Sequence, residues 1–131
     1  MRKTISVQTH NHEQMIDVTR QVAEVVSESG VKNGMVTCFV THTTAGVTIN
    51  ENADPSVVRD ILFALDRAVP DKGFTHMEGN STAHVKSSMM GCSLNVLVEN
   101  GRVLLGTWQG IYFCEFDGPR NRRMLISISE S

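Results

Sequence analysis

Two hydrophobic periods alternate along this chain. KTISVQT, residues 3–9, places apolar and polar residues in turn, the period of a half-buried strand, and MIDV, 15–18, reads as a second strand returning beside it. Thr19 then offers a hydroxyl N-cap, Val22, Ala23, Val25 and Val26 recur at helical spacing, and Gly30 supplies the stop. MVTCFVTH, 35–42, is rich in β-branched and aromatic residues; TTAG reads as a turn and VTINE, 47–51, as the strand after it, giving a second hairpin. Asp54-Pro55 is a helix-start signature, because the carboxylate accepts from unpaired N–H groups and the proline has none to lose. Val58, Ile61, Leu62, Leu65 and Val69 follow at intervals of three and four until Pro70 ends the segment.

Residues 71–81 have no clear period and hold Gly73 and Gly79, the mark of a connecting loop. TAHVKSSMMG, 82–91, fits helix and strand equally. The last third is β-rich: SLNVLV, an Asn100-Gly101 turn suited to a two-residue hairpin, RVLLGTW, IYFCEF, a DGP turn and a final MLISIS. No repeat or linker interrupts the pattern. It predicts one α+β domain over residues 1–131, with a mixed or mostly antiparallel sheet and two main helices.

Composition narrows the function classes. A chain of 131 residues with 40% hydrophobic content can bury a core without disulfides or a structural metal. A formal net charge of -2 and a pI near 6.2 argue against a nucleic-acid backbone as main partner. No apolar run reaches the roughly 20 residues of a membrane-spanning helix, and MRKTISVQTHNHEQ lacks the apolar centre of a signal peptide, so no membrane partner is expected and the expected address is the cytoplasm. Cys38, Cys92 and Cys114 are odd in number and widely spaced, and read as small buried hydrophobes.

Candidate chemistry gathers in HTTAGVTINENADP, 42–55. Strand alternation puts His42 at the end of the stripe Val36, Cys38, Val40, and Glu51 at the end of the stripe Val47, Ile49. A histidine and a glutamate closing the buried faces of neighbouring strands would meet at the rim of the core, where desolvation tunes proton affinity or favours metal ligation. His76 and His84 follow in FTHMEGNSTAHVKSS, at a spacing that matches no standard zinc motif. With a carboxylate, three histidines fit an open divalent-metal site. A helical 82–90 would put His84, Ser87 and Ser88 on one face; an extended one, His84, Lys86 and Ser88. Lys86 with Arg102, Arg120, Arg122 and Arg123 forms a candidate anion clamp. In GTWQG, 106–110, Trp108 either walls a pocket for a flat ring, with Gln109 fixing it, or is the largest core residue. Asp54 reads at least in part as a helix cap.

HTTAGVTINENADP, HMEGNSTAHVKSSMMG, GRVLLGTWQGIYFCEFDGPR and the closing basic strand together resemble the YjbQ-type family, also described as the secondary thiamine-phosphate synthase family. The resemblance runs from Lys3 to the last strand. It implies a compact α+β fold assembled as a homotrimer. It also implies a weak, secondary transferase activity that joins a pyrimidine diphosphate to a thiazole phosphate with release of pyrophosphate. The matching polar positions are His42, Thr43, Asn50, Glu51, Asn52, Asp54, His84, Lys86, Ser87, Ser88, Gly106, Thr107, Trp108, Gln109 and Arg120, with His76 on the loop between.

Together these readings give an expected site. His42, Glu51 and His84 form its catalytic group, and these three with His76 hold a divalent metal. Lys86 and Arg120 neutralise a phosphate beside Trp108. Mg²⁺ would suit diphosphate oxygens, Zn²⁺ the histidines. A histidine-rich site also fits metal-assisted hydrolysis of a small phosphorylated metabolite. The remaining reading is a non-catalytic trimeric protein that binds a metabolite or metal.

Overall fold

The computed structural model describes all 131 residues. Eight strands and three helices follow in the order β1 (Arg2–Gln8), β2 (Gln14–Asp17), α1 (Thr19–Ser29), β3 (Gly34–Val40), β4 (Ala45–Glu51), α2 (Pro55–Ala68), α3 (Ser81–Met90), β5 (Ser93–Glu99), β6 (Arg102–Val103), β7 (Gln109–Glu115) and β8 (Asn121–Glu130). They form a five-stranded sheet, β1-β8-β3-β5-β6, and a three-stranded sheet, β2-β7-β4, with every pairing antiparallel. The α+β class and the antiparallel sheets agree with the sequence pattern. A third helix adds to the two expected, because residues 82–90 resolve as α3.

The inner faces of the two sheets share the main core. Val36, Cys38 and Val40 of β3 meet Val47 of β4, Ile111 and Phe113 of β7 and Met124, Ile126 and Ile128 of β8, and Val22, Val25 and Val26 of α1 join them. The outer face of the smaller sheet is covered by α2 and α3. There Val58, Ile61, Leu62 and Leu65, four of the five residues of the stripe read from the sequence, pack on Met15, Tyr112, Cys114 and Phe116.

Neither expected early hairpin exists. β1 pairs with β8 and β2 with β7, so the chain changes sheets between them. β3 and β4 also part company, one to each sheet, and the 41–44 segment is a crossover rather than a hairpin turn. Alternation gives a strand's face correctly but cannot name its partner, and two consecutive half-buried strands share a core equally well across two sheets. The Asn100-Gly101 hairpin forms as expected. Both residues take positive φ, 53° and 75°, and Val98 faces Val103 across the turn.

Caps explain the helix boundaries. Asp54 accepts from the Ser56 N–H at 2.9 Å and Pro55 opens α2. α1 stops at Gly30 in the left-handed region, as expected, but Thr19 lies inside it and is not the cap. Asp17 instead accepts from the Thr19 N–H at 2.9 Å. Of the cysteines, Cys38 and Cys114 are buried, whereas Cys92 is exposed just beyond α3.

Candidate functional site

The crossover between β3 and β4, the start of α3 and the segment between β7 and β8 meet at one end of the sandwich. They enclose a hollow of about 430 Å³ lined by Thr41, His42, Thr43, Thr44, His76, Glu78, Asn80, His84, Asp117, Arg120 and Arg122, without one apolar side chain. A second hollow of about 490 Å³ shares His42, Thr43 and His84 with it and continues along Ser87, Ser88, Gly91 and Cys92. The helical register of α3 thus puts His84, Ser87 and Ser88 on one face, one of the two arrangements the sequence allowed.

Beneath the first hollow lies a buried ion pair. Glu115 is 0% exposed and Arg122 only 3%. Arg122 Nε donates to Glu115 Oε1 at 2.8 Å, and Nη2 donates to Glu115 Oε2 and, at 2.8 Å, to Thr44 Oγ1. Thr9 Oγ1 donates to the same carboxylate at 2.7 Å, as does the Asp117 N–H at 3.0 Å. Burial would raise the Glu115 carboxyl, but the Arg122 guanidinium, then Thr9 and Asp117, outweigh it and hold the group below the usual carboxylate range. None of the Arg122 hydrogen bonds uses Nη1, and Arg122 is among the residues that line the hollow.

Nearer the surface, Arg120 Nη2 donates to Asp117 Oδ2 at 2.8 Å, and Asn80 Nδ2 donates to the same oxygen at 2.9 Å. Asn80 Oδ1 is left buried without a partner. Asn80 does not cap α3 with its side chain; its carbonyl accepts from the Ala83 and His84 N–H groups at 3.1 and 3.3 Å, and the Ser81 and Thr82 N–H groups have no protein partner. The His76 and His84 rings meet edge to face with centroids 5.4 Å apart.

His42 is held by its own nitrogen. The Arg123 N–H donates to Nε2 at 2.9 Å, so the neutral ring keeps its proton on Nδ1. Burial lowers the His42 pKa first, and Arg122, Arg123 and Arg120 lower it further against the opposing pull of Glu115. Burial and the three guanidiniums together outweigh Glu115 and favour the neutral ring.

Other expected residues lie elsewhere. β4 spans seven residues from Ala45 to Glu51, about 20 Å at strand rise, so Glu51 sits at the opposite end of the small sheet from His42 and His84. Asn50, Asn52 and Asp54 go with it, and Asn52 Nδ2 donates to Asp17 Oδ2 at 3.2 Å. Thr107, Trp108 and Gln109 share that far end, where the Asn52 N–H donates to the Trp108 carbonyl at 3.0 Å and the indole is 63% exposed. The catalytic trio is therefore divided, and the expected four-ligand metal set loses its carboxylate. No three His, Cys, Asp or Glu side chains converge in ligating geometry.

Lys86 is also removed from the anion clamp. It is 3% exposed and its ammonium donates to Glu13 at 2.5 Å and to Asp66, tying α3 to α2 and to the segment before β2. Burial opposes its charge, yet Asp66 and Glu13 more than compensate and raise its pKa. Ser87 spends its hydroxyl on the Ala45 carbonyl at 2.7 Å. Arg102 lies beside a hollow between α1 and the β5–β6 turn, also about 430 Å³, whose floor includes Val26, Val31, Val103 and Leu105. That hollow holds no histidine or carboxylate.

The comparisons accord with this architecture. The family described as UPF0047 protein YjbQ-like matches residues 3–131. This chain belongs to that family. It is 52% identical over 130 residues to YugU of Bacillus subtilis, covering 98% of each chain. A UPF0047 protein of Methanocaldococcus jannaschii is 51% identical over 123 residues, covering 93% of this chain and 89% of the relative. The solved structure of a Clostridium acetobutylicum member superposes with a TM-score of 0.95 at 55% identity, covering 97% of this chain and 99% of that one. A Sulfolobus solfataricus member reaches 0.94 at 30% identity, covering 100% and 97%.

These relatives overturn the expected thiamine-phosphate synthase activity. The Clostridium member is called an uncharacterized conserved protein, the Sulfolobus one a protein of unknown function, and the Bacillus one simply a UPF0047 protein. The geometry concurs, since Trp108 stands at the far end and gives the histidines no flat wall for a pyrimidine. No helix is long and apolar enough to cross a membrane.

Proposed function

We propose that the hollow bounded by His42, His84, Arg120 and Arg122 binds the phosphate of a small phosphorylated metabolite. The observation that carries this reading is Arg122, an almost wholly buried guanidinium that Glu115 and Thr44 orient so that Nη1 stays unspent beside a cavity with no apolar lining. Nη1 alone offers charge-assisted N–H donors to a phosphate oxygen, and the carboxylate that holds Nε and Nη2 fixes the guanidinium before the ligand arrives. His42 Nδ1–H and the Ser81 and Thr82 N–H groups at the start of α3 are further donors for it.

Calorimetric titration with inorganic phosphate at low ionic strength tests it. Saturable binding that weakens about tenfold or more in His84→Ala, and is unchanged in Trp108→Ala, supports the reading; absence of binding refutes it.

A divalent metal remains a second reading for a smaller donor set, supported by the apposed rings of His76 and His84. His42 does not join them, because its Nε2 already accepts from Arg123. An ion such as Zn²⁺ would take its other ligands from the phosphate or water. Phosphate affinity that rises on adding Zn²⁺, and loses the rise in His76→Ala, supports this reading; an unchanged affinity removes it.

The homotrimer is likewise a proposal. Its support is the outward face of the five-stranded sheet, where Met35 and Leu97 are paired neighbours and, with Phe39, lie exposed. Light scattering giving three times the 14.5 kDa chain mass supports it, and a monomer mass refutes it.

A further inference from the structure

The two hollows that meet at His42, Thr43 and His84 have unlike linings. The first holds the guanidiniums and imidazoles; the second, of about 490 Å³, is edged by the hydroxyls of Thr43 and Ser88. Thr43 and Ser88 are exposed and spend their hydroxyls on no protein partner, whereas the Ser87 hydroxyl between them in the lining is committed to the Ala45 carbonyl. A free hydroxyl both donates and accepts, so it suits a ligand group that does the same.

We infer that the ligand is a phosphorylated polyol. Resting on the phosphate-binding reading, the inference places the phosphate against Arg122 and runs the hydroxylated carbon chain past His84 between Thr43 and Ser88. The size is suitable, since each hollow alone falls within the volume range of small-molecule sites and the two share His42, Thr43 and His84. Polarity argues the same way. An aryl or acyl phosphate would set its apolar body against hydroxyls and strip them of water without replacing their hydrogen bonds. The ring-bearing alternative has a specific place to go. Phe74 and Val85 flank a separate depression that includes His76 and His84, and an aryl ester would turn towards it.

Four probes decide between these classes: inorganic phosphate, glycerol 3-phosphate, a hexose 6-phosphate and phenyl phosphate, each titrated into the full chain by calorimetry. The expected order is hexose phosphate tighter than glycerol phosphate, tighter than inorganic phosphate, with at least about a tenfold gain across the series, the scale of two net hydrogen bonds. Phenyl phosphate binds no better than inorganic phosphate. In Thr43→Val and in Ser88→Ala the polyol gain shrinks, and in Ser88→Ala, which lies outside the phosphate hollow, inorganic phosphate binds as in the parent; both positions are surface-exposed, and circular dichroism checks that each variant folds.

Phenyl phosphate binding tightest overturns the polyol assignment, as does a polyol gain that persists in both variants. Inorganic phosphate binding with no gain from any polyol sinks this inference and leaves the phosphate reading standing. Failure of all four probes sinks both.

Discussion

Replacing Arg122 with methionine separates the two things this residue does. The substitution leaves Glu115, 0% exposed, with only the Thr9 hydroxyl and the Asp117 N–H for its charge. Breaking a buried pair by removing one partner costs about 3–5 kcal/mol, most of it the stranded charge. Converting Glu115 to leucine in the same chain removes that charge and returns an apolar contact next to Phe113 and Met124, so the double variant should recover most of the loss. Phosphate binding should not return, because the charge-assisted hydrogen bond from Nη1, about 1.5–3 kcal/mol, is missing in both variants. That corresponds to roughly ten- to hundredfold weaker binding. Urea unfolding gives the stabilities and calorimetry the affinities. A double variant that binds phosphate as the parent does would refute Arg122 as the anchor. A single variant as stable as the parent would refute the stranded-charge argument.

Three further outcomes follow from the same coordinates. Lys86→Met should cost about 1–3 kcal/mol, less than a fully buried pair because Asp66 is largely exposed, and should leave phosphate affinity unchanged; a phosphate defect would return Lys86 to the site. Gly34→Ala would put a Cβ 2.0 Å from the Ser129 carbonyl oxygen, so the β3–β8 pairing must open, and a urea midpoint equal to the parent's would contradict that clash. His42 has a lowered pKa in the fold, so below about pH 6.5 the unfolded chain binds the extra proton first and stability falls as pH falls. His42→Gln should flatten that part of the stability profile; an unchanged slope assigns it to another group.

The sequence made the faces of the strands legible and left their partners hidden. Val36, Cys38 and Val40, the α2 stripe and the Asn100-Gly101 turn all came from local periodicity and turn chemistry, and all are present. The two lost hairpins depended on long-range pairing, which no local pattern encodes, and their loss carried Glu51 away from His42. His42, His84 and Arg120 do share a hollow, but the Glu115–Arg122 pair beneath them was missed. A signal for it existed. Glu115 has the parity of Ile111 and Phe113, and Arg122 that of Met124, Ile126 and Ile128, so each puts a charge on the core-facing column of its strand. Opposite charges on two such columns need each other, whatever the intervening turn. Lys86 misled for the converse reason: Glu13 and Asp66, its partners, are distant in sequence and neutralise it only in the fold.

The most direct test is amide NMR mapping during a phosphate titration. Binding at the proposed site predicts saturable shifts at His42, Thr43, the Ser81–His84 turn and Arg122, with Glu51, Trp108 and the α1–β6 hollow unmoved. Shifts confined to the Trp108 end, or to Lys32 and Arg102, would contradict the account.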